Sequence, residues 1–196
     1  YELGEMVGAF RREIASLLAQ DDVTAEQVVD HLQARYHTNQ DGAEAIVEYF
    51  REQQFVTGEI PSDKRLLVEH FRDELGQQQV VIHSPFGIRV HDPWALAIAQ
   101  RFEERYGVRP VTATTDDGIL LTIPKDVEDA IDAAVIEGVA AVVTPDSLDA
   151  VLGRALRDSP VFKSRFRHNA VRSMMVLRHY KGRRTPVWMQ GLRASA

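Results

Sequence analysis

The sequence contains no cysteine. That excludes a disulfide framework, a thiol nucleophile and any cysteine-based zinc or iron–sulfur site, and it suits a reducing cytoplasm. No apolar run approaches the roughly 18–20 residues that a membrane span requires, and the N-terminus lacks the pattern of a signal peptide. A cytoplasmic protein with no membrane partner is the expectation. The chain opens on Tyr1 rather than methionine, and both ends read as cuts within helices, so a piece of a longer protein is expected. Compact catalytic signatures are missing too: there is no GxxxxGK(S/T) phosphate loop, no GxGxxG after a strand, no HExxH and no GxSxG.

Acidic residues are also missing from the last stretch, HYKGRRTPVWMQGLRASA, residues 179–196. Residues 1–153 hold 12 Lys+Arg against 28 Asp+Glu, whereas residues 154–196 hold 11 against 1. The two parts therefore carry net charges of about −16 and +10 within a formal total of −6. Such an asymmetry argues for an acidic scaffold carrying a basic surface aimed at a polyanion or an acidic partner. The alternative is a basic segment that folds back and neutralises the acidic part.

What is present is ordinary globular material: 196 residues, 44% hydrophobic and 27% charged. The periodicity divides the chain into a helical subregion over 1–57, hairpins and a helix over 58–124, and a helical, basic part over 125–196. In the first, Leu3, Met6, Val7, Phe10, Ile14, Leu17 and Leu18 recur at helical spacing and call for a packing partner. Thr24 with Gln27 forms a capping box ahead of Val28, Val29, Leu32 and Tyr36, and a third helix follows Asp41 and Glu44 with Ile46, Val47 and Phe50 inward. The pair joined by TNQD reads as an antiparallel helix pair or a helix-turn-helix. The acidic face Glu44, Glu48, Glu52 favours the former, because it repels phosphate.

After the GEIPSD linker, RLLVEHF and QVVIHSPF read as a hairpin turning at Gly76. Asp92 is the expected cap of a helix with Pro93 at its first position and Trp94, Ile98, Phe102 and Tyr106 on one face up to Gly107. VTATTDDGILLTIP reads as a second hairpin turning at Asp117-Gly118. Further helices are expected at about 126–137, 145–157, 160–178 and from 187 onward. Hairpins bracketed by helices, with no βαβ alternation, imply an α+β fold whose sheet is mostly antiparallel.

Candidate chemistry concentrates at the basic end. Asp116 and Asp117 point to opposite faces of a strand and suit a tight turn, so catalysis by them is disfavoured. His83, His91 and Asp92 lack a third ligand at fixed spacing, which favours structural hydrogen bonding over a metal. On a helix over 160–178, Phe162, Phe166, Ala170, Met174 and Leu177 form a stripe flanked by Arg165 and Arg172 on one margin and by Arg167 and Arg178 on the other. The turn Lys181-Gly182-Arg183-Arg184 follows, and then Trp188, which either stacks on an unpaired base or docks the last helix as a core residue. Arginine in this density favours bidentate contact with phosphate.

The blocks GEMVGAFRREI, IPSDKRLLVEHFRDELG, VVIHSPFGIRVHDPWALAIAQRFEERYGV, TTDDGILLTIP and SPVFKSRFRHNAVRSMMVLRHYKGRRTPVWMQGLRA run in order over nearly the whole chain. In this spelling the chain closely resembles the DEAD/H-associated domain of the large helicase-related (Lhr) family of superfamily 2 helicases. The resemblance implies a non-catalytic domain of an ATP-dependent enzyme that moves 3′-to-5′ on single-stranded DNA and serves DNA repair, a domain that helps enclose the tracked strand and braces the motor.

 ATP and magnesium would be held by two RecA-like domains upstream, followed by a winged helix and then this domain, with no cofactor bound here. Its implied partners are single-stranded DNA, or an RNA:DNA hybrid, together with the RecA-like and winged-helix domains of the same chain. The implied contacts to nucleic acid are Arg165, Arg167, Arg172, Arg178, Lys181, Arg183, Arg184 and Trp188, with Arg89 of the HSPFGIRVH block. The competing expectation is a brace that grips neighbouring domains and touches no DNA. An independent nuclease or glycosylase lacks a residue constellation. Two departures from the family pattern stand out. A Pro-Arg pair before the basic turn is replaced by Arg178-His179-Tyr180, and a Trp-Gln-Gln-Arg run by Trp188-Met189-Gln190-Gly191. The second loses an arginine and places a glycine in the last helix, at about 1 kcal/mol against alanine.

Overall fold

The computed structural model describes residues 2–125 and 138–195. The helix expected at 126–137 lies outside the described residues. The chain divides into two compact units, Tyr1–Val142 and Val143–Ala196, which carry 12 basic against 26 acidic residues and 11 against 3.

The first unit opens with α1 (Glu2–Leu18), α2 (Ala25–Tyr36) and α3 (Gln40–Thr57). Ile14, Val28, Leu32, Val47 and Phe50 form their common core. The capping box at Thr24 is present: Gln27 N–H donates to the Thr24 hydroxyl at 3.3 Å, and Thr24 N–H donates to Gln27 Oε1 at 2.8 Å. The cap of α3 is Asn39, whose side chain accepts from Gly42 N–H at 2.9 Å, so this helix begins ahead of Asp41. The apolar run of α1 needs a correction, since Leu3, Met6 and Val7 are exposed. The buried face there is glycine. A Cβ on Gly4 would lie 2.7 Å from the Pro85 carbonyl oxygen, and one on Gly8 would lie 2.5 Å from Asp63 N, so backbone meets backbone where larger side chains cannot enter. The GEIPSD stretch is packed rather than loose, with Ile60 in the helical core and the Pro61 carbonyl accepting from Arg11 Nε at 3.0 Å.

A four-stranded antiparallel sheet follows, built from β1 (Leu67–Arg72), β2 (Gln78–His83), β3 (Val111–Thr114) and β4 (Gly118–Ile123) in the order β1-β2-β4-β3. The fold is therefore α+β. Between the hairpins runs α4 (Ile88–Tyr106), whose Ala95, Ile98 and Phe102 are buried, as are Val80, Ile82, Ile119 and Leu121 of the sheet. Period-2 alternation in β2 and β4 sends these four to one face. In the first turn, Asp73 accepts from the N–H groups of Gln77 and Leu75 and from the Gln79 amide. These bonds, that of Gln77 foremost, hold its carboxyl below the usual range.

Helix α4 starts a turn earlier than Asp92 and Pro93 suggest. Its N-cap is Gly87, at φ +84, and Asp116 accepts from Ile88 N–H at 3.0 Å, so the capping acceptor comes from a distant turn rather than from the local sequence. Pro93 lies inside the helix. The Thr115–Asp117 turn is bound to this corner at several points: the wholly buried His91 donates from Nδ1 to the Thr115 carbonyl at 2.7 Å, Thr114 bonds to Asp92, and Ser84 N–H donates to the Asp117 carbonyl at 3.0 Å. That turn also departs from the Asp-Gly expectation. Thr115 N–H bonds to the Gly118 carbonyl at 3.0 Å, so Asp116 and Asp117 are its central residues, and neither has a positive φ. Gly118 is needed for close approach instead, since a Cβ there would sit 2.3 Å from the Ile82 carbonyl oxygen.

The second unit holds α5 (Pro145–Asp158), α6 (Pro160–Arg172), the ribbon β5 (His179–Tyr180) and β6 (Arg183–Arg184), and α7 (Val187–Ser195). Ser159 caps α6 by accepting from Phe162 N–H at 3.1 Å. The helix expected to reach 178 ends at Arg172, because Met174 takes a left-handed backbone (φ +60) and Val176 N–H turns back to the Ala170 carbonyl at 3.1 Å. The apolar stripe is lost as a buried feature: Ala170 is buried, whereas Phe162, Phe166, Met174 and Leu177 are exposed.

Candidate nucleic-acid interface

The candidate basic residues of the second unit lie on α6, at Arg178 and in the ribbon. On α6, Arg165 and Arg172 are seven residues apart and share a face, while Arg167 lies about 200° from Arg165 at 100° per residue. Residues 173–178 then lead into the ribbon, whose two-residue turn is Lys181-Gly182, with φ +49 and +77. Two positive φ values in a two-residue loop match the twist of a tight antiparallel pair. In this ribbon His179 stands opposite Arg184, and Tyr180 opposite Arg183. Opposite residues share a face and successive residues alternate, so Arg183 and Arg184 are sent to different sides.

One side faces a recess of about 400 Å³. Arg167, His168 and Val171 of α6 line it, together with Arg178 and with His179 and Arg184 of the ribbon. Val187 and Gln190 of α7 complete its wall. Gln190 is buried and donates from Nε2 to the Thr185 carbonyl at 2.7 Å, and Thr185 N–H donates to the Arg178 carbonyl at 2.8 Å, which ties α7 to the ribbon. No carboxylate follows Asp158 in the sequence, so the segment cannot neutralise these charges from within.

Of the residues singled out from the sequence, the structure thus brings together Arg167, Arg178 and Arg184. Arg165, Arg172, Lys181 and Arg183 are exposed and do not line the recess. Trp188 is 64% exposed, which corrects the core reading of this residue: α7 turns Val187 and Gln190 to the recess and leaves the indole outward. Arg89 is exposed in the first turn of α4, in the first unit. Five recess residues, His168, Val171, His179, Val187 and Gln190, are not among the sequence candidates, and the signal for them is weak. The ribbon shows in the sequence only as Lys-Gly between Tyr180 and Arg183. His83 bonds to Glu69, and His91 and Asp92 hold the corner of α4, so the candidate metal residues are engaged in structural hydrogen bonds. Among the described residues no group of three or more His, Asp or Glu could hold a metal ion. No described helix is long and apolar enough to cross a membrane.

Residues 60–196 match the family model described as DEAD/H associated. The chain belongs to this family. Within the DEAD/H associated family and around it, the "Lhr helicase/ probable uracil glycosylase" of Mycolicibacterium smegmatis is 37% identical over 197 residues, covering 99% of this chain and 12% of that protein. The "Lhr helicase/uracil glycosylase" of Escherichia coli is 34% identical over 194 residues, again covering 99% of this chain and 12% of the relative. The "ATP-dependent helicase Lhr-Core" of Saccharolobus solfataricus is 33% identical, with 94% and 21% covered. The chain thus spans about an eighth to a fifth of the length of these relatives. Among solved structures, that of the Mycobacterium smegmatis helicase Lhr bound to ssDNA and AMP-PNP superposes with a TM-score of 0.72 at 35% identity, over 99% of this chain and 23% of that one.

Proposed function

We propose that this DEAD/H associated chain is a non-catalytic accessory domain of an ATP-dependent 3′-to-5′ DNA helicase, and that its second unit contributes binding of single-stranded DNA. The observation that carries the reading is the full-length likeness, at 35% identity, to a domain-sized part of a helicase solved with ssDNA bound. The basic recess and the exposed arginines beside it supply the chemistry: guanidiniums make charge-assisted bonds to phosphate irrespective of sequence, and Trp188 offers a ring on which an unpaired base stacks. In this reading ATP and magnesium are held by other domains of the parent protein. The uracil glycosylase in two relatives' names supports a role in DNA repair. An RNA:DNA hybrid has the same backbone charge and is a second candidate partner.

A bracing role against RecA-like and winged-helix domains is the second reading, and one observation favours it. The second unit exposes Phe162 and Phe166 as a stacked pair, with ring centroids 5.8 Å apart, along with Met174 at 82% and Met175 at 78%. Apolar surface of this kind marks an interface. The test is to truncate the parent helicase immediately before Tyr1. ATP hydrolysis should persist while its coupling to strand movement weakens. Full unwinding by the truncated protein would make the domain dispensable and remove both readings.

A further inference from the structure

Three guanidiniums from separate segments share the recess of the second unit: Arg167 of α6, Arg178 ahead of β5 and Arg184 of β6. We infer that this recess seats a single backbone phosphate of a nucleic-acid strand, with these three arginines as its donors. The inference rests on the DNA-binding reading above and deepens it, because it separates one shared seat from a set of outlying contacts.

Like charges gathered in one place repel, and no carboxylate of the segment opposes them. An anion in the recess turns that repulsion into attraction. Guanidiniums suit a phosphate better than ammoniums do, since each planar fork can offer two parallel N–H groups to two oxygens. The surroundings bring the three residues to the recess. Arg167 Nη2 lies 3.2 Å from His168 Nε2, and a guanidinium can only donate, so the imidazole nitrogen accepts and steers the side chain. The backbone of Arg184 is placed by its register opposite His179, and that of Arg178 by the bond from Thr185 N–H to its carbonyl. Val171 and Val187 add apolar wall, which lowers the local dielectric and strengthens the remaining contacts. At about 400 Å³ the recess exceeds a bare anion and has room for the sugars on either side of a phosphate. Arg183, on the opposite face of the ribbon, and Arg165 and Arg172, outside the recess, would meet other phosphates or none.

A shared seat has a signature that separate contacts lack. Each neutralised phosphate on a single strand adds about 0.7 to the slope of log affinity against log salt. With a fluorescent oligothymidylate and the intact chain, Arg184→Ala should weaken binding about tenfold. The triple variant Arg167→Ala/Arg178→Ala/Arg184→Ala should weaken it further yet flatten the slope by only about 0.7 in all. Arg184→Lys should retain the slope and lose affinity. A loss near 2.1 in the triple variant means three separate phosphates and overturns the shared seat, as does an unchanged affinity. The second arm titrates inorganic phosphate and follows the ring protons of His168 and His179 by NMR. A saturable shift that Arg184→Ala abolishes is expected, and its absence overturns the seat even where DNA binds elsewhere on the chain. Should phosphate saturate the recess while no oligonucleotide binds, the nucleic-acid source of the anion is overturned and the DNA-binding reading fails separately.

Discussion

At the scale of single residues, two positions show how much rests on local chemistry. Glu13 joins α1 to α2: its carboxylate accepts from the Tyr36 hydroxyl at 2.7 Å and lies 2.6 Å from His31 Nε2 and 3.1 Å from Arg35 Nε. Burial pulls its pKa up, but the hydrogen bonds from Tyr36 and His31 and the charge of Arg35 outweigh it and hold the group below its ordinary value. A depressed carboxyl stabilises the fold above its unfolded value, about 4.3, and loses that contribution as pH falls through the lower folded value. Glu13→Gln should therefore lower stability at neutral pH by at most about 1 kcal/mol, given the solvent nearby, and the difference from wild type should vanish in acid. Denaturant melts between neutral and acid pH measure it; a difference that persists unchanged into acid contradicts the assignment. Gly118 is the steric counterpart. In Gly118→Ala the new Cβ meets the backbone of β2, which cannot swing aside, so a loss of about 1–3 kcal/mol is expected in the same melts.

At the scale of elements, the exposure of Trp188 separates surface from core. Trp188→Ala should leave stability within about 0.5 kcal/mol of wild type, and ssDNA affinity should fall by about 1–3 kcal/mol if a base stacks there. A drop of about 3–5 kcal/mol in thermal stability would return the residue to the core. The same contrast shows what the sequence made legible. Thr24-Gln27, Ser159-Pro160 and Gly107 declare their helix ends because the partner groups lie within four residues. The start of α4 is not legible locally because its acceptor, Asp116, is 28 residues away, and the end of α6 is hidden because one methionine adopts a left-handed backbone without a glycine to announce it. In α1 the apolar spacing was clear but pointed to the wrong face, since two glycines do the packing. At the candidate site the arginines were plain from composition. Their sorting into one recess and several outlying positions depends on the alternation of a four-residue ribbon, which periodicity over longer windows does not resolve.

At the scale of the whole molecule, an acidic unit of helices and sheet is joined to a basic unit whose 11 basic residues face 3 acidic ones, none of them after Asp158. Net charge of one sign in a small unit costs stability through self-repulsion and favours encounter with a polyanion. The central claim is that this basic unit contacts a single strand through its phosphates. It is tested most directly by titrating the intact chain with a fluorescent single-stranded oligonucleotide at a series of salt concentrations, beside the double variant Arg183→Ala/Arg184→Ala. Affinity should fall linearly with log salt, and the double variant should weaken binding at every salt concentration; its slope should flatten by about 0.7 where Arg183 meets a phosphate of its own and by less where it does not, since Arg167 and Arg178 still hold the phosphate shared with Arg184. A wild-type affinity indifferent to salt, or a double variant that binds as tightly as wild type at every salt concentration, would contradict it.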